Sequence, residues 1–382
     1  MRRLTFLSGL VCGLLLASVV PGGAVADPVV RPASPMVALS ASSTTMTVAT
    51  TTAVGLPPNG SFVRVRARVW RLVGGALVYV PSWAPYGGRH RTVPLTAAQY
   101  STVSAQRIRN GEFIRTIQDG AVYRMVGGAP IYVSSWAAVG GRHFAFNIDA
   151  TNLSHAGQGY PWGAIAAFPV LRATRHGFRP SFARSGSDGR VYALVGGAPL
   201  YVTSWAVYGG RQPTVTIDGA AITHAGRGHW RFLRWYPVLL TQHEQLSAAA
   251  RPGAPVHPFA VAGGAPIYVP NTNNFPEPLD RVLVDPTTVA RAGGRAPFDH
   301  LRARPADGTL LLAFHDADIQ ALSFPSAVYW VSAGAAIPVL GNKPCPGGDA
   351  AWIDKIAVDR AGTGGVWNHL GTPTVPAPAP PC

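Results

Sequence analysis

The chain has 382 residues, and its 32 Lys and Arg against 17 Asp and Glu give a net charge of +15. Almost all of that charge is arginine, since only Lys343 and Lys355 are lysines; the Ala, Gly and Pro richness beside it carries the mark of high-GC coding, yet attraction to polyanions follows from the charge itself. No apolar run of about twenty residues remains after residue 26, which leaves no transmembrane anchor, and export sets nucleic acid aside in favour of wall polymers and phospholipid head groups.

Residues 1–26 read as a secretory signal, with Arg2 and Arg3 as the basic start, Phe6 to Val20 mostly apolar, and Ala24-Val25-Ala26 as the cleavage site. The mature chain is then expected to begin near Asp27 and to be extracellular or wall-associated. Residues 27–57 are rich in Ser, Thr, Ala and Pro without a helical or strand period, which describes a solvated spacer.

From residue 58 to residue 372 one phrase recurs: LVGGALVYVPSW at Gly74, MVGGAPIYVSSW at Gly127, LVGGAPLYVTSW at Gly196, AVAGGAPIYVPNT at Gly263 and a decayed WVSAGAAIPVLGN around Gly334. Self-similarity at this spacing means one supersecondary unit used repeatedly. The second copy is the clearest. Phe113 to Ile117 alternates as a strand, Asp119-Gly120 makes a hairpin turn, Val122 to Val126 returns, Gly127-Gly128 turns again and Ile131 to Ser134 is a third strand. After Trp136, Gly140-Gly141 breaks the chain and His143 to Ile148 makes a fourth, so each unit is expected to be a small antiparallel sheet.

A short helix follows. Asp149, Asp218, Asp285 and Asp354 are each followed eight residues later by Gly157, Gly226, Gly293 and Gly362. Asp accepts the first free helical N–H groups and Gly takes the left-handed place after the last turn, so the pattern predicts a two-turn helix. Leu153, Ile222, Val289 and Val358 supply its buried contact, and a trailing aromatic (Trp162, Trp230, Phe298, Trp367) points back to the same core. His155 and His224 share a helix place that becomes Arg291 and Arg360, which predicts only a polar position there. The first unit lacks the Asp-to-Gly helix, as terminal repeats are expected to be atypical.

Residues 373–382 form a Pro-rich tail. After signal removal Cys345 and Cys382 remain, and in an oxidising compartment an even pair reads as a disulfide, worth roughly 3–4 kcal/mol for a loop of this length. The fold class is therefore all-β with short helical insertions, a repeat array. Five four-stranded units predict a five-bladed β-propeller, whose closure protects strand edges; an open β-solenoid is the alternative.

The phrases GGAPIYVSSW and GGAPLYVTSW, with the trailing WGAI, WRFL, FDHL and WNHL segments, resemble tandem repeats of secreted actinobacterial proteins, some of them attached to wall-degrading or other hydrolytic domains. The resemblance spans about residues 58–372 and implies an accessory, non-catalytic array with no catalytic residue to carry over.

Trp83, Trp136 and Trp205 fall at one repeat place and Tyr79, Tyr132, Tyr201 and Tyr268 at another. An exposed indole is a stacking platform for a sugar ring, while a buried one fills space between sheets. Arg89, Arg142 and Arg211 each follow a Gly-Gly pair, and guanidinium binds carboxylate or phosphate bidentately. The cap aspartates stand alone, unlike calcium ligands, and no metal or cofactor is expected. No nucleophile elbow, His-Glu-x-x-His zinc helix or Cys–His pair occurs; His315-Asp316 with Asp318, and His243-Glu244, are the densest titratable groups. These features predict a monomeric, non-enzymatic protein that binds cell-wall polysaccharide or another acidic envelope polymer through repeated weak sites. A structural or protein-adhesion role at the cell surface is the alternative, and a hydrolase the third reading.

Overall fold

The computed structural model describes residues 55–174, 177–239, 244–248, 257–272, 280–315, 327–339 and 350–372, all within the compact unit that runs from Ala53 to Cys382. The signal segment, nearly all of the spacer, both Cys345 and Cys382, and the tail lie outside the described residues. Those residues form five separate sheets, four of four strands and one of six, with short helices between them, and no sheet closes on itself. No described helix is long and apolar enough to cross a membrane.

The second unit shows why the sheets are not wholly antiparallel, as alternation alone predicts. Its strands are Phe113–Thr116, Val122–Val126, Ala129–Val133 and Phe146–Ile148. The first three pair as successive hairpins, but the fourth runs parallel to the first, with Ile114 opposite Phe146, and the spatial order is third, second, first, fourth. To reach that far edge the chain must cross the sheet, as parallel neighbours require. It does so through the 3₁₀ turn Trp136–Val139 and Gly140-Gly141, whose positive φ values of 88° and 113° suit glycine. The same order recurs in every unit. A hairpin that the sequence pattern does not announce, Arg172–Thr174 with Gly177–Arg179, precedes the third unit yet pairs with the fourth unit's strand Asp280–Val284 through Phe178 opposite Val282.

Most of the core lies between consecutive units, beside smaller clusters inside the first (Val63, Trp70, Leu72) and the second (Phe113, Val133, Val139). Val73 and Val78 of the first unit pack with Ile114, Ile148 and Ile165 of the second; Val126 and Ile131 of the second with Leu194, Ile217 and Ile222 of the third. Phe182 and Leu200 of the third then meet Leu246, Val282 and Leu301 of the fourth, and Ile267 and Val269 of the fourth meet Leu311, Val331 and Ile353 of the fifth. A four-stranded sheet hides one face at most, so each unit needs its neighbour to bury the other. Among the described residues no core cluster joins the first unit to the fifth.

Polar groups fix the register of this packing. The aspartate Oδ1 atoms accept the helical N–H two residues on, at 2.9 Å for Ala220, Thr287 and Ile356, which is the expected cap. Their Oδ2 atoms reach back to the preceding unit. Asp218 accepts from Ser134 through N–H (2.7 Å) and hydroxyl, Asp285 from the N–H of Thr203 (2.5 Å), its hydroxyl (2.6 Å) and the N–H of Ser204 (3.0 Å), and Asp354 from the N–H of Asn271 (3.1 Å). All are at most 4% exposed, so each is a buried clamp between units as well as a cap. In the first unit Pro81 stands where Ser134 stands in the second and has no N–H to give. There the two units are joined differently: the Tyr86 hydroxyl accepts the Asp149 backbone N–H at 3.1 Å, and no backbone donor of the first unit is bonded to the carboxylate among the described residues.

An aromatic ladder runs beside the clamps. Tyr79, Tyr132, Tyr201 and Tyr268 each meet the trailing aromatic of the next unit (Trp162, Trp230, Phe298, Trp367) edge to face, at centroid distances from 4.9 to 5.6 Å. Such pairs contribute about 0.5–1.5 kcal/mol beyond their area. The helix place expected only to be polar has a sharper requirement: His155 and His224 stack on Trp162 and Trp230 at 4.2 and 4.7 Å, and Arg291 and Arg360 lie over Phe298 and Trp367. A flat, delocalised side chain covers the ring in every case, an imidazole in two units and a guanidinium in two.

The repeated Gly pair serves the same joint. Gly196 sits at φ 54°, and a Cβ there would come 2.7 Å from the Val238 carbonyl oxygen, because the segment after the helix returns to donate from Val238 to Gly196 and from Arg234 to Gly197. Both ends of the array depart from the pattern. The first unit does carry a helix, Ala97–Val103, but Thr96 and Gln99 form its capping box and no aspartate reaches backward. In the fifth unit Pro338 lies opposite Tyr329 where Tyr132 lies opposite Tyr123, so the ladder has no further rung.

Acid should loosen the later joints. His300 is 3% exposed and its Nδ1 lies 2.9 Å from the Trp235 carbonyl of the third unit; His369 makes the equivalent 3.0 Å contact to Ala303 of the fourth. Burial holds both imidazoles below their usual pKa. Below about pH 6.5 the unfolded chain takes up protons that the folded chain refuses, so stability is complete above that pH and falls beneath it. The melting temperature is therefore expected to drop between about pH 7.5 and about pH 5.5. His300→Phe, which installs the residue found at this place in the third unit (Phe232), should flatten the drop; an unchanged slope would contradict the assignment.

Candidate functional site

The crossover that carries the chain to the fourth strand also builds the exposed face of the first three units. Each indole of Trp83, Trp136 and Trp205 is half-buried and packs on the phenylalanine that opens the first strand, Phe62, Phe113 or Phe182, at 5.1 to 5.4 Å. Each indole is thus packed on the sheet and partly open to solvent, between the platform and core readings of these positions. His90 and His143 stack on Phe62 and Phe113 at 4.6 Å, and each reaches back to the carbonyl four residues earlier, Tyr86 or Val139. In the third unit Gln212 makes the corresponding bond to Tyr208. That bond holds the Gly-Gly-Arg turn against the sheet.

Arg89, Arg142 and Arg211 leave those turns exposed, with no ion pair among the described residues. A second arginine accompanies each. Arg64, Arg115 and Arg184 lie two residues after the phenylalanine on the same strand, and the strand period of two puts both on one face. The Phe-x-Arg alternation was present in the sequence as a signal for this second cation. In the fourth unit Gln245, Ser247 and Thr272 occupy the places of Phe, Arg and Trp, so the group is lost together; Asn342, the fifth unit's residue at the Trp place, lies outside the described residues.

Two clefts flank Trp136. One of about 310 Å³ lies between the Asp119–Val122 turn and Ser134-Ser135; the other, of about 780 Å³, is lined by Arg115, Arg142, His143, Phe144 and Asn147. Phe144 is 76% exposed, an apolar ring held in solvent at the cleft edge beside Phe146.

Catalytic and metal readings gain no geometry. No group of three or more His, Cys, Asp or Glu side chains among the described residues is placed to hold a metal. Asp316, Asp318 and His243 lie outside the described residues, while His315 follows the strand Leu310–Phe314 and Glu244 opens the strand Glu244–Ala248. No protein-family model matches the chain, and neither a curated protein nor a solved structure matches it.

Proposed function

We propose that this is a secreted, non-enzymatic repeat protein that holds cell-wall glycan or another acidic envelope polymer through repeated weak sites on its first three units. The observation that carries the reading is the joint presence of an anchored Trp and two Arg without an ion pair among the described residues in each of those units, and the replacement of the Trp and the strand Arg by Thr272 and Ser247 in the fourth. Packing between sheets would require the indole in every unit, whereas a ligand surface needs it only where the ligand lies. Several such contacts on one frame raise avidity by orders of magnitude without a deep pocket. Retention of the full protein on insoluble peptidoglycan, strong at low salt and weakened at high salt, is the expected result, because exposed charges are screened. No retention at either salt contradicts it.

The frame that best supports such a surface is an open row of units rather than the five-bladed propeller. A ring would ask the fifth unit to receive the first exactly where the Tyr rung and the reaching aspartate are both missing. The same losses remove, among the described residues, the rung and clamp through which a second copy would extend the row, which favours a monomer. Deleting the fifth unit after Ala306 removes one interface from a row, so the remainder is expected to stay soluble and fold cooperatively with a lower melting temperature. Collapse of the remaining four units would restore the ring.

A further inference from the structure

The second unit differs from its neighbours in a way that bears on which glycan is held, and the inference rests on the glycan-binding reading above. The charges around Trp136 are split. Arg115 and Arg142 stand in the larger cleft without a counter-ion, and Asp119 stands in the smaller one, also without an ion pair among the described residues. Asp119 Oδ1 accepts from the Thr116 hydroxyl and from the Ala121 N–H at 3.1 Å, which leaves Oδ2 directed to solvent or ligand. The Thr116 hydroxyl bond, foremost, keeps this carboxylate below the usual range, so it remains charged. The third unit completes the smaller cleft: His229 stacks on Tyr132 at 4.7 Å and lies 3.1 Å from the Tyr123 hydroxyl.

Neither neighbour has this arrangement. In the third unit the equivalent Asp188 is paired with Arg190 at 3.2 Å, and Pro213 stands where Phe144 stands. In the first the turn is Arg66-Ala67 and has no acid. We infer that the second unit reads an alternating acidic glycan, with one carboxylate for every two sugars: the charged sugar lies in the Arg115 and Arg142 cleft, its uncharged neighbour in the Asp119 cleft, and Trp136 separates them.

The selection follows from what each cleft penalises. Guanidinium groups match a carboxylate bidentately, and an ionised carboxylate only accepts, so Asp119 suits sugar hydroxyl or amide N–H donors. A polymer charged on every sugar brings its second anion against Asp119, and like charges face to face are costly. A neutral polymer leaves both arginines without a partner. The apolar faces of Trp136 and Phe144 fit either sugar and set position rather than charge.

Titration of the full protein with three soluble probes tests this: hyaluronan oligosaccharides carry one carboxylate per disaccharide, oligogalacturonates one per sugar, and chitooligosaccharides none. Hyaluronan fragments are expected to bind about tenfold more tightly than either of the others. Asp119→Asn should raise oligogalacturonate binding and narrow that gap, and Arg142→Ala should remove the preference over chitooligosaccharide. Retention on peptidoglycan with equal binding of all three probes, or an unchanged ratio in Asp119→Asn, overturns the alternation and leaves the glycan reading standing. Absence of any probe binding together with no retention overturns both.

Discussion

Replacing Asp285 with alanine is expected to lower stability by about 4 kcal/mol, the largest loss from any single polar substitution in the array. The helix loses its cap, worth about 1 kcal/mol, and three part-buried donors of the third unit lose a charged acceptor that is itself 2% exposed. Bonds to an ionised group contribute about 1.5–3 kcal/mol each when counted alone, but they share one oxygen and so add less than their sum. Asp285→Asn keeps the cap and should lose roughly half as much. Asp149→Ala is the internal control, because Pro81 of the preceding unit offers no N–H, and it should cost clearly less. Urea unfolding reads all three, and the Asp285→Ala curve should also broaden as the last two units uncouple from the first three. A loss below about 1 kcal/mol would mean that the joint is held by its apolar core alone.

Much of the unit was legible because its signals are local. Asp and Gly bracket the helices of the last four units for reasons confined to one turn, and the repeated Gly-Gly pairs of the first four phrases mark positive φ. The non-local half was hidden. Nothing in the spacing shows that Asp285 spends its second oxygen on Thr203, some eighty residues earlier, or that Tyr201 waits for Phe298. Strand direction was lost for a related reason: alternation gives a strand its faces but not its neighbours, so Phe146–Ile148 read as one more antiparallel strand although the crossover through Trp136 makes it parallel. The hairpin Arg172–Thr174 with Gly177–Arg179 is short, polar and lent to another unit's sheet, and only the fourth unit's edge explains it.

The decayed fifth phrase illustrates how a structural joint appears in sequence. The phrase is the socket for the following unit, its Tyr forming the rung and its Ser or Thr meeting the clamp, so a terminal unit has no physical reason to keep it. The Trp and Arg places behave differently. They vanish in the fourth unit, which still has a successor, and that mismatch between joint residues and face residues separates the surface from the scaffold. Phe144 was missed because it occurs in one unit only, where a search for repeated residues cannot find it, and Asp119 because, like Asp188 in the third unit, it reads as a hairpin-turn residue.

The most direct test of repeated weak sites is a graded series on the full protein: Trp136→Ala, then Trp83→Ala added, then Trp205→Ala, each measured for retention on insoluble peptidoglycan at one salt concentration. Loss of a base-stacking or sugar-stacking ring removes about 1–3 kcal/mol of local contact, and sites joined on one frame multiply their losses. Trp136→Ala should weaken retention by about tenfold, and the triple variant by about 10²-fold or more, with the melting temperature little changed because each indole is already half in solvent. Stepwise loss with a preserved fold is the predicted result. A triple variant retained as well as the parent protein would contradict the account.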